Sequence, residues 1–286
     1  SKRQSLFLYF AIFLLIAGVS YGLHYYFIGS RHITTDNAYV GAEIAEITPL
    51  VGGIVKEINF KNTDSVKAGD VLVVLDDKDM HLALAQAKAD HQKAKFDLDR
   101  AKYEWERREK LKGTGSVSKE EVTNSQNVYK AAFAVANAAE VAVEKAQVDL
   151  DRTIIRAPVD GIVAKRQVQL GQRVDSTASL MAVVPIDQMH VDANFKEVQV
   201  RNIEIGQTAT LTADLYGNSV VYHGEVVGIA GGTGAAFAVI PAQNATGNWI
   251  KVVQRLPIRI KLNPEELKEN PLRVGLSMEV DINISK

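Results

Sequence analysis

The stretch ITPLVGGIVKEI at residues 47–58 returns as IRAPVDGIVAKR at residues 155–166, an offset of 108 positions. The same offset holds further along the chain for Val66 and Val174 and for Leu72 and Leu180. Both segments consist of short β-branched runs separated by Gly, Asp and Asn, which is typical of the strands of a small sandwich. A half of about 30–40 residues is too short to bury a core of its own. We therefore expect residues 38–76 and 153–186 to pack together as one split β-domain.

Each copy of the repeat carries a glycine before its Ile-Val pair, at Gly53 and at Gly161. Glycine at such a place usually allows a positive φ or the close approach of another backbone. We predict both to be structural turn glycines of the split domain.

The segment between the two copies, residues 77–152, predicts two long helices. The first arm begins near Asp76, Asp77 and Asp79 and contains neither Pro nor Gly before Gly113. A second arm follows the glycine-containing turn and repeats at intervals of seven at Val122, Tyr129, Ala136, Val143 and Leu150. Two such arms joined by a short turn predict an antiparallel coiled-coil hairpin.

Two rows of the first arm repeat at intervals of seven residues. Leu82, Ala89, Phe96 and Tyr103 form the row that we expect to face the second arm. Leu84, His91, Leu98 and Trp105 form the other row, which we expect to face a neighbouring molecule.

The N-terminus predicts a membrane anchor within residues 1–30. Residues 6–28 contain no Asp, Glu, Lys or Arg and have the length of a bilayer span when helical. Lys2 and Arg3 precede this span and favour a cytoplasmic N-terminus. A cleaved signal peptide is the alternative, although its apolar region is usually only about 7–15 residues long.

The C-terminal part, residues 187–286, predicts an antiparallel β-barrel. Five strand-like segments are separated by Gly and Asn turns, namely MHVDANF, QTATLTAD, VVYHGEVVGIA, KVVQRLPIRIKL and LSMEVDINI. The glycine-rich stretch at residues 231–234 lacks the Gly-Lys-Ser/Thr ending of a phosphate loop.

Composition argues against nucleic-acid binding and against catalysis. Lys and Arg number 33 against 34 Asp and Glu, so there is no net positive charge to attract a phosphate backbone. The chain has no cysteine, which excludes disulfides, thiolate zinc sites and cysteine nucleophiles. Its six histidines show no HExxH spacing, and no GxSxG motif is present. We expect no enzyme activity, no catalytic residue, no metal and no cofactor.

The split β-pattern resembles the lipoyl or biotinyl carrier fold, in which the junction between the halves presents a lysine for the cofactor. Here the junction holds about 75 residues, and Lys78 lies in a DDKD run that resembles a helix start. Cofactor attachment is therefore not expected.

Near the turn between the arms, Arg107, Leu111 and Ser118 have the spacing R-x3-L-x6-S. This spacing resembles the tip motif of bacterial periplasmic adaptors that dock onto TolC-type outer-membrane channels. The segment PAQNATGNW at residues 241–249 closely resembles EmrA-type membrane fusion proteins of the HlyD superfamily. The resemblance implies an elongated mixed α and β protein with a transmembrane helix, a lipoyl-like sandwich, a coiled-coil hairpin and a β-barrel.

The same resemblance implies a periplasmic adaptor for multidrug export, anchored in the Gram-negative inner membrane by one lipid-embedded helix. Its implied partners are an EmrB-like major facilitator transporter, a TolC-like channel that the tip residues dock onto, and further copies in a trimer or hexamer. Two alternatives remain: a HlyD-like adaptor of type I secretion working with an ABC transporter, and a single-span sensor with a periplasmic coiled coil.

Overall fold

The structure of the chain is a computed structural model. It describes residues 12–16, 18–19, 31–236 and 252–284, and the first two of these ranges are helical. The anchor predicted at residues 6–28 lies mostly outside these ranges. Among the residues that the structure describes, no helix has the length and apolarity needed to cross a bilayer.

From residue 31 onward, the described elements comprise fourteen strands and four α-helices. In chain order the strands are β1 (His32–Gly41), β2 (Ala45–Ile47), β3 (Gly53–Ile58), β4 (Ser65–Val66), β5 (Val71–Leu75), β6 (Ile154–Arg156), β7 (Gly161–Ala164), β8 (Arg173–Val174), β9 (Met181–Val184), β10 (His190–Lys196), β11 (Thr208–Ala213), β12 (Val221–Ile229), β13 (Arg255–Leu262) and β14 (Ser277–Asn283). The helices are α1 (Lys78–Lys110), α2 (Lys119–Asp151), α3 (Glu197–Val200) and α4 (Pro264–Glu269). A short 3-10 helix covers Gly217–Ser219.

The chain forms two compact units, and they are described separately. The first contains Ser1–Ile44 and Val184–Lys286, and the second contains Ala45–Val183.

The first unit is a closed six-stranded antiparallel barrel with the strand order β1-β10-β13-β12-β11-β14. Its core contains the inward side chains of alternating strand positions, among them Phe195, Tyr222 and Ile260, which are fully buried. Five of the six strands coincide with the strand-like segments predicted after residue 187, so the predicted antiparallel barrel is confirmed. The hydroxyl of Tyr222 donates to the carbonyl oxygen of Asn270 at 2.9 Å, and burial raises the pKa of this phenol to about 12.

The sixth barrel strand, β1, departs from the predicted boundary. The split domain was predicted to start at residue 38, but β1 runs through Gly41 and pairs with both β10 and β14. The reason is that Ala38 and Val40 bury their side chains in the barrel core, and without β1 two strands of the barrel would have open edges.

The second unit contains a β-sandwich with two four-stranded sheets, in the orders β2-β9-β7-β4 and β6-β5-β3-β8. Each sheet combines strands from both sides of the helical insertion. Neither segment could form its sheet alone, because β4 pairs with β7 and β3 pairs with β8 across the insertion.

The repeat of 108 positions is visible in the pairing itself. Gly53 is opposite Val174, and the equivalent Gly161 is opposite Val66. The backbone N–H of Thr63 donates to Val163 at 2.8 Å, and the equivalent N–H of Gly171 donates to Val55 at 2.9 Å. The two halves therefore exchange equivalent contacts, as an internal two-fold axis requires.

The two predicted turn glycines lie at strand starts, and the positive-φ interpretation of them is wrong. Neither Gly53 nor Gly161 is among the described glycines with positive φ. Close approach explains Gly53, since a Cβ there would lie 3.3 Å from the Cβ of Leu75.

Helices α1 and α2 form an antiparallel hairpin, each about 50 Å long for 33 residues at the α-helical rise. Lys78 is the first residue of α1, as expected for a helix start. β5 and β6, which lead into and out of the hairpin, pair with each other and hold its base together. Each helix packs mainly on the other in the described part of the chain.

The row predicted for the seam of α2 is buried or half-buried, but the row predicted for α1 is wrong. Leu82, Phe96 and Tyr103 are 64–70% exposed, whereas Leu84, Ala94 and Ala101 are buried. The seam of α1 is therefore the row Leu84, His91, Leu98 and Trp105 together with Ala87, Ala94 and Ala101. The alanines of this seam alternate with its larger side chains. The exposed Leu82, Phe96 and Tyr103 each lie two residues before a large seam residue, and they point away from α2.

Candidate docking site at the hairpin tip

The tip is a compact turn between the end of α1 and the start of α2. Gly113 and Gly115 adopt positive φ values of 92° and 78°, which reverse the chain within a few residues. The carbonyl oxygen of Leu111 accepts hydrogen bonds from the backbone N–H of Thr114 at 3.2 Å and from its hydroxyl at 2.8 Å. These bonds hold the turn to the last residues of α1.

Arg107 and Leu111 lie one helical turn apart and therefore share a face at the end of α1. Leu111 is 39% exposed, which makes it a large apolar side chain open to solvent at the tip. Arg107 is exposed, and its guanidinium enters none of the ion pairs or hydrogen bonds found in the described part of the chain. By contrast, the neighbouring Arg108 pairs with Glu104 at 3.4 Å. An unpaired cation beside an exposed leucine is suited to a partner that offers a carboxylate or carbonyl next to an apolar groove.

Ser118 caps α2 through a complete capping box. Its Oγ accepts from the backbone N–H of Glu121 at 3.1 Å, and its own N–H donates to the Glu121 carboxylate at 2.8 Å. The backbone N–H of Ser118, followed by the Ser118 side chain, holds the pKa of Glu121 below its ordinary value. Ser118 therefore shapes the tip by fixing the first turn of α2.

All three residues of the R-x3-L-x6-S pattern thus lie at the same end of the hairpin, while Gly53 and Gly161 lie in the sandwich. Trp105 supports the hairpin below this tip, and this role was not predicted. Its ring stacks on that of Tyr129 with centroids 5.1 Å apart and planes at 10°. The alternation of Ala87, Ala94 and Ala101 with the row of Trp105 was the signal that could have placed it in the seam.

Within the described ranges no group of three or more His, Asp or Glu side chains is arranged to hold a metal ion.

Comparison with known families supports this architecture. The family model for the barrel-sandwich hybrid domain of RND membrane fusion proteins matches residues 43–186, which are the sandwich and the hairpin.

Curated relatives match along most of their length. Fatty acid resistance protein FarA of Neisseria gonorrhoeae is 44% identical over 88% of this chain and 76% of FarA. Multidrug export protein EmrA of Escherichia coli is 39% identical over 91% of this chain and 78% of EmrA. Multidrug export protein EmrA of Haemophilus influenzae is 37% identical over 96% of this chain and 83% of that protein.

Solved structures share the fold at lower identity. The membrane fusion protein Spr0693 of Streptococcus pneumoniae has a TM-score of 0.65 and 16% identity over 89% of this chain and 99% of Spr0693. A MacA-MexA chimera with the α-hairpin domain of Pseudomonas aeruginosa MexA has a TM-score of 0.57 and 23% identity over 90% of this chain and 83% of the chimera. With these relatives, a split sandwich and a helical hairpin, the chain belongs to the EmrA-type membrane fusion proteins, the adaptor subunits of efflux systems.

Proposed function

We propose that this chain is the periplasmic adaptor of a multidrug or fatty acid export system and that its hairpin tip docks onto a TolC-like outer-membrane channel. The exported compounds are suggested by the names of its relatives, one a fatty acid resistance protein and others multidrug export proteins. On this proposal the N-terminal segment anchors the chain in the inner membrane beside a major facilitator transporter.

The docking proposal rests on which side chains of the tip already have partners within the chain. Arg107 has no partner within the described chain, and Leu111 is exposed beside it, whereas Arg108 and Ser118 are already engaged in intramolecular bonds. The tip therefore offers the unpaired guanidinium of Arg107 beside an apolar side chain, on a turn held in place from both helices.

We further propose that the chain works as four domains: the anchor, the split sandwich, the hairpin and the barrel. The sandwich supports the base of the hairpin through the pairing of β5 with β6. The hairpin in turn carries the tip that contacts the channel.

The test is a substitution at Leu111 in cells that lack their own adaptor of this kind and express the channel and transporter. Leu111→Asp places a carboxylate where an apolar contact is proposed, and we expect resistance to drugs or long-chain fatty acids to fall to that of cells without adaptor. Leu111→Met keeps an apolar side chain of similar size and should retain resistance.

Immunoblots of membrane fractions and copurification with the channel accompany both variants. Equal amounts of adaptor with loss of channel copurification only for Leu111→Asp support the proposal. Full resistance of Leu111→Asp at normal expression would contradict the tip assignment.

A further inference from the structure

The barrel has one end at which β1 begins, which we call the anchor-side end. Because neighbouring strands are antiparallel, the same end holds the last residues of β10, β12 and β14 and the first residues of β11 and β13. Three strand pairs mark its level around the barrel, namely His32 with Asn283, Lys196 with Arg255 and Thr208 with Glu225. The strand ends at Gly41 and Ala213 lie at the opposite end.

Hydrogen bonds join the connecting segments of the anchor-side end into one surface. Nε2 of Gln199 in α3 donates to the carbonyl oxygen of Thr34 at 3.3 Å. The backbone N–H of Glu197 donates to the carbonyl oxygen of Gln254 at 3.0 Å. The start of β1, helix α3 and the residues before β13 therefore lie side by side.

Large apolar side chains are exposed on this surface. In the connection between β10 and β11, Val200 and Ile203 turn inward and pack on the barrel core. Val198 and Ile205 of the same connection are 68% and 67% exposed, and Val252 before β13 is 68% exposed. Closing the barrel does not explain these outward side chains, because the inward ones already do so.

Cations lie beside the exposed apolar side chains. In the segments that form the surface, residues 31, 196–207 and 252–255, the basic residues are Arg31, Lys196, Arg201 and Arg255. None of the four enters an ion pair within the described ranges. The acidic residues of the same segments are Glu197 and Glu204, so positive charge is in excess. An anionic surface with an apolar layer beneath it is complementary to this arrangement.

The chain that leads to the anchor-side end is short. The predicted membrane span ends at Ile28, and β1 begins at His32. Four residues reach at most about 14 Å when fully extended, and the headgroup layer is itself about 5–8 Å thick on each side of the bilayer core. With the span in the bilayer, the start of β1 therefore lies within about 9 Å of the headgroups, close to the Debye length at physiological ionic strength.

We propose that the anchor-side end is a binding surface for anionic phospholipids of the membrane that holds the anchor. The guanidinium groups of Arg31, Arg201 and Arg255 then donate to lipid phosphates. Val198 and Ile205 reach the boundary between headgroups and acyl chains. This inference rests on the proposed adaptor function, because it requires the anchor. It adds that the bilayer fixes the orientation of the barrel, which a single span joined by a short linker does not do alone.

Quenching by lipid headgroups tests this contact on the full-length chain, which has no cysteine of its own. Ile205→Cys is labelled with bimane and reconstituted without any partner protein in vesicles of phosphatidylethanolamine and phosphatidylglycerol. A fraction of the lipid carries a nitroxide on its headgroup. We expect the bimane at residue 205 to lose fluorescence to the nitroxide. The same label on Leu215→Cys, 56% exposed at the opposite end of the barrel, should keep its fluorescence.

The charge requirement is tested in the labelled Ile205→Cys background. Arg201→Gln with Arg255→Gln removes two cations, each of which contributes about fivefold to binding at an anionic surface. Quenching should fall in this variant, and it should fall equally when phosphatidylcholine replaces all other lipids. Lys268→Gln is the matched control, since Lys268 is exposed in α4 at the opposite end, and it should leave the quenching unchanged.

Equal quenching at residues 205 and 215, or none at residue 205, would overturn the proposal. Quenching that neither the arginine substitutions nor neutral lipid reduces would also overturn it, because the contact would not depend on anionic headgroups. Protection of the residue-205 label from aqueous iodide only after a transporter is added would overturn it in favour of a protein partner.

Carbonate extraction of the same vesicles separates this inference from the proposed function. A chain that stays in the vesicles while its residue-205 label is not quenched contradicts the lipid contact alone. A chain that carbonate releases contradicts the proposed anchor and the lipid contact together.

Discussion

Gly224 and Gly228 lie in the same barrel strand, β12, but differ in what surrounds them. A Cβ at Gly224 would lie 2.6 Å from Cγ2 of Ile260 and 2.8 Å from the carbonyl oxygen of Lys261, whereas nothing lies within 4 Å of a Cβ at Gly228. We expect Gly224→Ala to lower the free energy of unfolding of the barrel by about 1–3 kcal/mol, the usual cost of overpacking. Gly228→Ala is the matched control and should have little effect. Thermal or urea unfolding of both variants measures the difference in stability. Equal unfolding midpoints would contradict the close contacts inferred around a Cβ at residue 224.

Thr63 and Gly171 occupy equivalent positions of the repeat and share a φ of 78°. Threonine is strained in this conformation by about 1–2 kcal/mol, and the exposed side chain makes no hydrogen bond that would compensate. Glycine loses about 0.5–1 kcal/mol of chain entropy on folding. Thr63→Gly should therefore stabilise the sandwich by about 0.5–1 kcal/mol. Chemical denaturation is the measurement, and a destabilised variant would show that Thr63 has a role in the fold beyond its backbone.

At the scale of the element, the capping box predicts how α2 begins. Ser118→Ala removes the side-chain acceptor for the backbone N–H of Glu121, which should cost about 1 kcal/mol of local stability. Hydrogen exchange at the first turn of α2 should accelerate, while exchange in the middle of α2 stays unchanged. Uniform acceleration along the hairpin would indicate instead that the tip and the seam unfold together.

The same capping box makes the stability of the first turn of α2 sensitive to acid. Because hydrogen bonds from Ser118 lower the pKa of Glu121 in the folded state, the carboxylate stabilises the box above the ordinary glutamate pKa of about 4.3. That stabilisation is lost as the pH falls through the lower folded value. An NMR titration of the Ser118 amide should show this transition, and Glu121→Gln should abolish it. A midpoint at or above the ordinary glutamate pKa would contradict the hydrogen bonds between Ser118 and Glu121.

The hairpin also shows where sequence periodicity suffices and where it does not. On α2 a single heptad row combined large residues with Ser125 and alanines at the intervening positions, and this row is the seam. On α1 two rows had the same period, and the row with Phe96 and Tyr103 is the more apolar of the two, because it has Ala89 where the other row has His91. This row is exposed because Ala94 and Ala101 let the two helices approach closely on the opposite face of α1. Periodicity alone does not show which of the two rows allows the closer approach.

At the scale of the whole molecule, the repeat at residues 47–58 and 155–166 predicted that distant segments form one sandwich, and the exchanged pairing of Gly53 and Gly161 shows the physical basis. β1 was not predicted as a barrel strand. It lies directly after the predicted anchor and contains only a few inward apolar residues. Its position in the barrel follows from β10 and β14, which would otherwise each have an open edge. The tip pattern was visible in the sequence, but the free state of Arg107 and the engagement of Ser118 required the structure.

The most direct test of the adaptor account is a photo-crosslinking amino acid placed at residue 111 in living cells that carry the complete export system. Irradiation should link this position to the outer-membrane channel protein, identified by mass spectrometry, while the same probe at the exposed sandwich residue Leu170 should not. Resistant cells in which residue 111 never links to the channel would contradict the account.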